Sequence, residues 1–263
     1  MRHRPEAALV LAAGRGTRMR PLTDTMPKAL VHVAGRPLVD HALDRVAGAS
    51  LRRAVVNLHH HADRLEAHLA ARPPASCAQP ALDIALSVER ARLLDTGGGL
   101  AQAAGPLGEG PVVALNADAI FAGPEPLVAL LDAWTSDHGF DALLLLVQRE
   151  ATRGYTRPGD FFLDAASAIG TPRRRGEADS APYVYTGAQV LSPAARAIAA
   201  EIAWKDPVFS MNLVWDRLLA EGRLGATLWP VGPGYPAARG AWVDVGTPAG
   251  IAEAEAALER WRA

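Results

Sequence analysis

Short apolar runs alternate along the chain with segments of helical character. Each apolar run is typical of a strand buried on both faces of a sheet. The even alternation predicts βαβ units and a mostly parallel, Rossmann-like α/β sheet flanked by helices. The predicted strands are Ala7–Ala12, Arg53–Leu58, Asp83–Val88, Val112–Asn116 and Ala142–Val147, and the predicted helices are Pro37–Gly48, His61–Ala71, Gly98–Ala104 and Glu125–Trp134.

The pattern changes in the third quarter of the chain. The segment Gln148–Arg175 is rich in Arg, Gly and Pro and shows little periodicity, which predicts loops over a site or a short irregular hairpin. A β-type run returns at Tyr183–Leu191. Ser192 and Thr247 each precede a proline, which is the pattern of a capped helix start. We therefore expect a closing, alanine-rich helix over Pro248–Arg260.

Composition narrows the functional classes. The 263 residues are 49% hydrophobic and 21% charged, with no internal repeat and no long linker, so one α/β domain over 1–263 is expected. A net charge of -1 argues against nucleic-acid or anionic-membrane partners. The single cysteine, Cys77 in the stretch Pro73–Pro80, permits no internal disulfide. With no signal-peptide core and no membrane-length apolar run, the expected location is cytoplasmic.

A glycine- and arginine-rich segment follows the first predicted strand. Residues 11–22 read LAAGRGTRMRPL, and residues 26–30 read MPKAL. Gly14 and Gly16 permit positive φ and close approach of backbone N–H groups to a polyanion. Arg18 can grip two phosphate oxygens, and a proline fixes the backbone before Lys28. The spacing fits neither the dinucleotide G-x-G-x-x-G pattern nor the P-loop. The combination predicts a nucleoside triphosphate loop, whereas Gly-x-Gly alone fits a tight turn equally well.

Three further segments carry candidate chemistry. Asp118 follows the strand Val112–Asn116, at the sheet edge where open α/β folds bind ligands, although a lone aspartate there can simply be solvated. Asp244 lies in WVDVGT. Glycines 97–99 open a predicted helix and offer N–H groups to a base or phosphate, or form a turn that starts the helix.

Residues 59–61 are consecutive histidines that point in different directions, so a helix entry is favoured over a metal site.

Taken together, these segments resemble the signature of the sugar-1-phosphate nucleotidyltransferases, L-A-x-G-x-G-T-R-x-x-P-L-T followed by P-K-x-L and, near the C-terminus, W-x-D-[IV]-G-T. The resemblance implies a glycosyltransferase-A-like nucleotidyltransferase fold, here without a β-helix domain. It also implies an enzyme that joins a nucleoside triphosphate to a sugar 1-phosphate and releases pyrophosphate. On this basis the nucleotide-binding part is expected at about 1–120, the sugar-binding part at about 121–245 and the closing helix at 248–260.

The resemblance also implies roles for individual residues. Arg18 and Lys28 would be catalytic, and Asp118 and Asp244 would hold Mg²⁺, which suits two carboxylates completed by phosphate and water. Ala117 stands where many relatives have glycine. The protein would be a monomer or small homo-oligomer. The other implied contacts are Leu11, Ala12, Ala13, Gly14, Gly16, Thr17, Arg18, Gly97 and Gly98 with the nucleotide, and Glu89, Asn116, Gly159, Thr186 and Gly187 with the sugar.

Within the family, the motifs are most similar to the enzymes that transfer UMP from UTP to N-acetylmuramate 1-phosphate in peptidoglycan recycling, and next to the mannose-1-phosphate guanylyltransferases. Muramate carries a lactyl carboxylate, so its pocket should offer a cation, and Arg153, Arg157 and Arg173–Arg175 are available. Some family members are regulatory proteins that bind nucleotide sugars without catalysis. The intact catalytic and metal-binding residues favour the enzyme.

Overall fold

The computed structural model describes residues 3–72, 82–136, 138–164 and 168–263, so Cys77 and the stretch Pro73–Pro80 lie outside the described residues. Its strands and helices follow in chain order. The strands are β1 (Ala7–Leu11), β2 (His32–Val33), β3 (Arg36–Pro37), β4 (Arg53–Leu58), β5 (Asp83–Val88), β6 (Val112–Asn116), β7 (Ala119–Ala122), β8 (Ala142–Gln148), β9 (Thr152–Arg153), β10 (Phe161–Asp164), β11 (Ile169–Arg174), β12 (Tyr183–Leu191), β13 (Leu224–Leu228) and β14 (Ala241–Asp244). The helices are α1 (Leu38–Gly48), α2 (Ala62–Ala70), α3 (Asp95–Gln102), α4 (Ala104–Leu107), α5 (Pro126–Thr135), α6 (Pro193–Lys205), α7 (Asn212–Ala220) and α8 (Pro248–Arg262).

Nine strands form one mixed sheet in the order β10-β11-β13-β8-β12-β6-β1-β4-β5. The strands β6, β1, β4 and β5 are mutually parallel, whereas β12 runs antiparallel to both β6 and β8. The predicted α/β class is confirmed. The parallel part brings the carboxyl ends of β1, β4, β5 and β6 to one edge, and the loops that follow these strands therefore meet there.

Apolar clusters pack against both faces of this sheet. Leu9 and Val55 belong to one cluster, and their chain neighbours Val10 and Val56 belong to the other. Because successive side chains of a strand point to opposite faces, a strand covered on both sides must be apolar at every position. This is the physical reason for the uninterrupted apolar run of β1 and for the apolar residues 54–56 of β4.

A second, three-stranded sheet lies beside the first in the order β7-β14-β9. Strand β14 runs antiparallel to β7 and pairs Asp244 with Ala119, the residue that follows Asp118. A third apolar cluster, which includes Val243 and Ala254, joins this sheet to α8. The small sheet thereby brings two sequence-distant segments to the edge where the parallel strands end.

Several element boundaries refine the sequence expectations. Helix α3 begins at Asp95, ahead of the predicted Gly98. The segment Gln148–Arg175 contains the antiparallel hairpin β10–β11 at the sheet edge, with residues 165–167 outside the described part. The Ser192 hydroxyl accepts the Ala195 N–H at 3.1 Å and caps α6. In the described C-terminal range, Thr247 takes the corresponding position before α8, but its side chain makes no capping hydrogen bond.

Across the described ranges, no helix combines the length and the apolar character that crossing a bilayer requires.

Candidate active site

A cleft with two adjoining lobes opens at the carboxyl edge of the parallel strands. Both lobes are bordered by Leu11, Asp95, Thr96, Asn116 and Asp118. The first, called here the Asn57 lobe, has a volume of about 420 Å³ and is further lined by Ala13, Gly14, Asn57, Leu93 and Val208. The second, called the Trp242 lobe, has a volume of about 490 Å³ and is further lined by residues that include Arg157, Asp160, Arg174, Tyr185, Gly187 and Trp242. A larger cavity of about 650 Å³ lies at the opposite, amino end of β1, around Arg52 and Glu109, away from the sequence motifs.

Lys28 lies beside Asp118, which borders both lobes. Its Nζ lies 2.6 Å from Oδ2 of Asp118, and its side chain is only 12% exposed. The loop folds tightly over the lysine, because a Cβ on Gly16 would lie 2.9 Å from the Lys28 Cβ. Gly16 also has φ of +61°, a backbone conformation that is energetically unfavourable for any residue that carries a Cβ. The second glycine of the G-x-G pattern is therefore required for the packing of Lys28.

Asp244 lies beside Asp118, as the sequence analysis required. The strand pairing places Asp244 opposite Ala119, and the Val245 N–H donates to the Asp118 carbonyl oxygen at 3.1 Å. Burial and then the Asp118 charge raise the pKa of Asp244, and the charges of Lys28, Arg18 and Arg157 oppose this rise. The centre of the cleft thus holds two carboxylates among three cationic side chains.

These carboxylates fit a divalent cation only in part. No group of three or more His, Cys, Asp or Glu side chains is arranged for a metal within the described residues. Asp118 and Asp244 would provide two protein ligands at most, and the remaining ligands would have to be phosphate oxygens and water, as Mg²⁺ commonly takes. The three consecutive histidines play no such part, because rings 59, 60 and 61 bond to the carbonyl oxygens of Glu89, Thr23 and Asp24.

The loop after β1 is held by a residue that sequence reasoning missed. Oδ1 of Asn57 accepts the N–H groups of Ala12 at 2.6 Å and Ala13 at 3.2 Å. The expected contacts of Ala12 and Ala13 with a nucleotide cannot use these amides, which Asn57 already occupies. A polar residue within the otherwise apolar end of β4 was the available signal.

The glycines of α3 also differ from expectation. The N–H groups of Gly97 and Gly98 both donate to the carbonyl oxygen of Phe209, at 3.0 and 3.2 Å. A Cβ on Gly98 would lie 2.1 Å from the Pro207 carbonyl oxygen. Close packing by the segment before α7 therefore explains these glycines, and the prediction that they offer free N–H groups was wrong. Asp95 and Thr96, just before them, line both lobes.

Three of the expected sugar-side residues are buried in structural roles. Glu89 is 2% exposed and accepts hydrogen bonds from the Asn57 amide and the Leu94 N–H, so its carboxylate faces the protein interior. The Thr186 hydroxyl donates to the Leu145 carbonyl oxygen at 2.8 Å and is fully buried. Gly159 packs against the backbone of Ala181. The structure argues against sugar contacts by these three residues, whereas Asn116 and Gly187 do border the cleft.

Only two of the arginines proposed for the lactyl carboxylate lie in the cleft. Arg157 and Arg174 line the Trp242 lobe. Arg174 is already bound, with Nε 2.8 Å from Asp216 Oδ1 and Nη1 3.1 Å from Asn212 Oδ1. Arg157 stacks on the Tyr155 ring at 4.9 Å and makes no ion pair with any described carboxylate. Arg153 bonds to backbone carbonyls, Arg173 stacks on Phe162 and Arg175 bonds to Ala178, so none of these three lines the lobe.

The sequence is similar to a known family and to full-length relatives. The sequence matches the Nucleotidyl transferase family over residues 7–156. It is 41% identical over 261 residues to N-acetylmuramate alpha-1-phosphate uridylyltransferase of Caulobacter vibrioides, covering 98% of this chain and 99% of the relative. The Neisseria meningitidis serogroup B protein of the same name is 30% identical, covering 97% and 99%.

A solved structure of UDP-glucose pyrophosphorylase, complexed with UDP-glucose, shares the fold. Its TM-score is 0.74 at 16% identity, and the match covers 97% of this chain and 99% of that one. The motifs, the fold and the full-length relatives agree: the chain belongs to the nucleotidyl transferase family.

Proposed function

We propose that this protein transfers the uridylyl group of UTP to N-acetylmuramate 1-phosphate and releases pyrophosphate, as a step of peptidoglycan recycling. The observation that carries the proposal is the arrangement of Lys28, Asp118 and Asp244: Lys28 pairs with Asp118, which borders both lobes, and Asp244 lies beside it. The full-length relatives of the chain bear this activity in their names. The Asn57 lobe would take the nucleotide, and the Trp242 lobe would take the sugar.

The reaction needs positioning and charge neutralisation more than proton transfer. An oxygen of the sugar phosphate attacks the α-phosphorus, the new P–O bond forms, and the bond from the α-phosphorus to the bridging oxygen of pyrophosphate breaks. Because the nucleophile is already an anion, it requires no general base. Lys28 and Arg18 would hold two mutually repelling anions in line and stabilise the charge of the transition state.

The charge balance of the centre supports a role for Mg²⁺. The Asp118 charge disfavours ionisation of Asp244, and Lys28 forms an ion pair with Asp118 but not with Asp244. A bound Mg²⁺ would supply a Lewis acid that neutralises phosphate charge. Asp118 and Asp244 would hold it, and calorimetric titration of Mg²⁺ in the presence of UTP should show binding to the wild type and its loss in Asp244→Asn.

Arg157 supports muramate as the sugar. It brings a guanidinium into the Trp242 lobe without an ion pair to any described carboxylate, and its stacking on Tyr155 holds it there. The lactyl group of N-acetylmuramate provides the missing carboxylate, and a guanidinium can bind a carboxylate through two parallel hydrogen bonds.

Pyrophosphate release measured for UTP, GTP, dTTP and CTP against a panel of sugar 1-phosphates tests the proposal. The panel contains the 1-phosphates of N-acetylmuramate, N-acetylglucosamine, mannose and glucose, and Asp118→Asn serves as the inactive control. We expect the highest kcat/KM for UTP with N-acetylmuramate 1-phosphate.

Two outcomes would overturn the proposal in different ways. A preference for GTP with mannose 1-phosphate would make the protein a guanylyltransferase. Binding of a nucleotide sugar without pyrophosphate release from any pair would make it a non-catalytic binding protein.

A further inference from the structure

Glu89 is a buried carboxylate that the reaction does not use. Its side chain is 2% exposed and lies just beyond the end of β5, one strand away from the loop that follows β1 across β4. Burial raises the pKa of Glu89, and hydrogen bonds from Leu94 and Asn57 oppose the rise. A buried carboxylate is costly unless donors satisfy it, so its partners require an explanation.

Those partners form a continuous chain of hydrogen bonds. The Leu94 N–H donates to Oε2 of Glu89 at 2.9 Å, and Nδ2 of Asn57 donates to Oε1 at 2.7 Å. Oδ1 of Asn57 then accepts the N–H groups of Ala12 and Ala13. Every polar atom of the two side chains therefore has a partner, and we call the pair the Asn57–Glu89 clamp.

The clamp joins the two walls of the Asn57 lobe. One wall is the loop after β1, represented by Ala13 and Gly14, and the other is the segment around Leu93 and Asp95. Helix α3 packs closely against the clamp, because a Cβ on Gly99 would lie 2.8 Å from Asn57 Nδ2 and 3.1 Å from Glu89 Oε1. The separation of the walls is thus set by side chains that cannot shift toward α3.

We infer that Asn57 and Glu89 are positioning residues that hold the two walls of this lobe at the separation a nucleoside triphosphate requires. The inference rests on the proposed function for the identity of the ligand. The pair acts through the backbone of the loops and has a defined polarity: an amide donor faces a carboxylate acceptor. A role of this kind predicts a selective loss of nucleotide affinity when the polarity is broken, and recovery when it is reversed.

Reversal of the pair is the experiment. In Asn57→Asp, the carboxylate still accepts the two loop amides but faces Glu89 without a donor. In Glu89→Gln, one oxygen must serve two donors. In the double variant Asn57→Asp/Glu89→Gln, the glutamine amide donates to the aspartate and its oxygen accepts the Leu94 N–H. The double variant satisfies every group again and keeps the single carboxylate of the wild type.

The readouts are the Kd of UTP by calorimetry, the KM of each substrate and the unfolding temperature. Each single variant should weaken UTP binding about 5- to 140-fold, since an unpaired buried polar group costs about 1–3 kcal/mol. The KM of the sugar phosphate should stay unchanged, and the double variant should recover most of the UTP affinity. Thr227→Val, which removes a hydrogen bond on β13 in the far part of the sheet, is the matched control and should lower stability alone.

The inference is overturned if the single variants bind UTP like the wild type, if both substrates are affected in parallel with the unfolding temperature, or if the double variant is no better than the singles. Single variants that fail to fold leave the double variant as the test, and a double variant that also fails to fold or to bind UTP refutes the clamp. A wild type that binds UTP but releases no pyrophosphate would refute the proposed function and leave the clamp intact.

Discussion

Arg157→Ala gives the sharpest test of how the sugar is selected. Arg157 lies in the Trp242 lobe with its guanidinium carbon 4.9 Å from the centre of the Tyr155 ring. The Tyr155 hydroxyl donates to Asp160 at 2.9 Å, which fixes the ring beneath the guanidinium. If Arg157 binds the lactyl carboxylate, its removal takes away a hydrogen-bonded charge pair made only with muramate.

The magnitude follows from the kind of contact. A hydrogen bond to a charged group contributes about 1.5–3 kcal/mol, so kcat/KM for N-acetylmuramate 1-phosphate should fall about 10- to 140-fold. Because Arg157 is exposed to solvent, a value in the lower part of this range is expected. The kcat/KM for N-acetylglucosamine 1-phosphate, which lacks the carboxylate, should be nearly unchanged.

The assay is pyrophosphate release with both sugar phosphates, expressed as the ratio of the two kcat/KM values. Arg153→Ala is the matched control, because Arg153 bonds to the carbonyl of Thr152 and does not line the lobe. Arg174→Ala should lower stability instead, since Arg174 is already bound to Asp216. An unchanged ratio in Arg157→Ala would refute the assignment of Arg157 to the lactyl group.

Three further predictions concern the catalytic centre and the stability of the fold. Lys28→Ala should reduce kcat at least about 10²-fold, the usual effect of removing one charge-stabilising group, and near-normal turnover in single-turnover kinetics would contradict its role. Gly16→Ala should lower the free energy of unfolding by about 1–2 kcal/mol through strain at positive φ, whereas Gly14→Ala, with no atom within 4 Å of its Cβ, should not; equal denaturation midpoints would count against this. Burial raises the pKa of Glu125 above its ordinary value of 4.5, so the stability that the protonated group contributes below pH 4.5 is lost as the pH rises through the raised pKa. Over this range the unfolding temperature of the wild type should fall relative to that of Glu125→Gln. A constant difference between the two unfolding temperatures would disprove the shift.

The local signals in the chain were strong enough to predict most elements. The predicted strands β1, β4 and β6 were confirmed because strands covered on both faces leave a mostly apolar run. Ser192 was confirmed as a cap because capping depends on neighbours along the chain. The antiparallel insertion of β12 left no comparable signal, since strand direction depends on the path of the intervening chain.

Local pattern was a poorer guide to what each polar group contacts. The glycines at 97 and 98 were interpreted as ligand contacts, but the distant segment ending at Phe209 occupies their amides. Glu89 and Thr186 were assigned to the sugar, but both are buried in hydrogen bonds to other strands and loops. Only the packing decides whether such a group faces a cleft or the interior.

The sequence by itself determined the alternation of strands and helices, the family, and the choice of Lys28, Asp118 and Asp244 as candidate site residues, because these depend on residue types and on spacing along the chain. The tertiary structure alone decided that β14 places Asp244 beside Asp118, that Arg157 lines the Trp242 lobe without an ion-pair partner among the described residues, and that Asn57 joins two loops. These outcomes depend on contacts between residues far apart in sequence. A local sequence pattern does not show which groups remain accessible to a ligand once those contacts have formed.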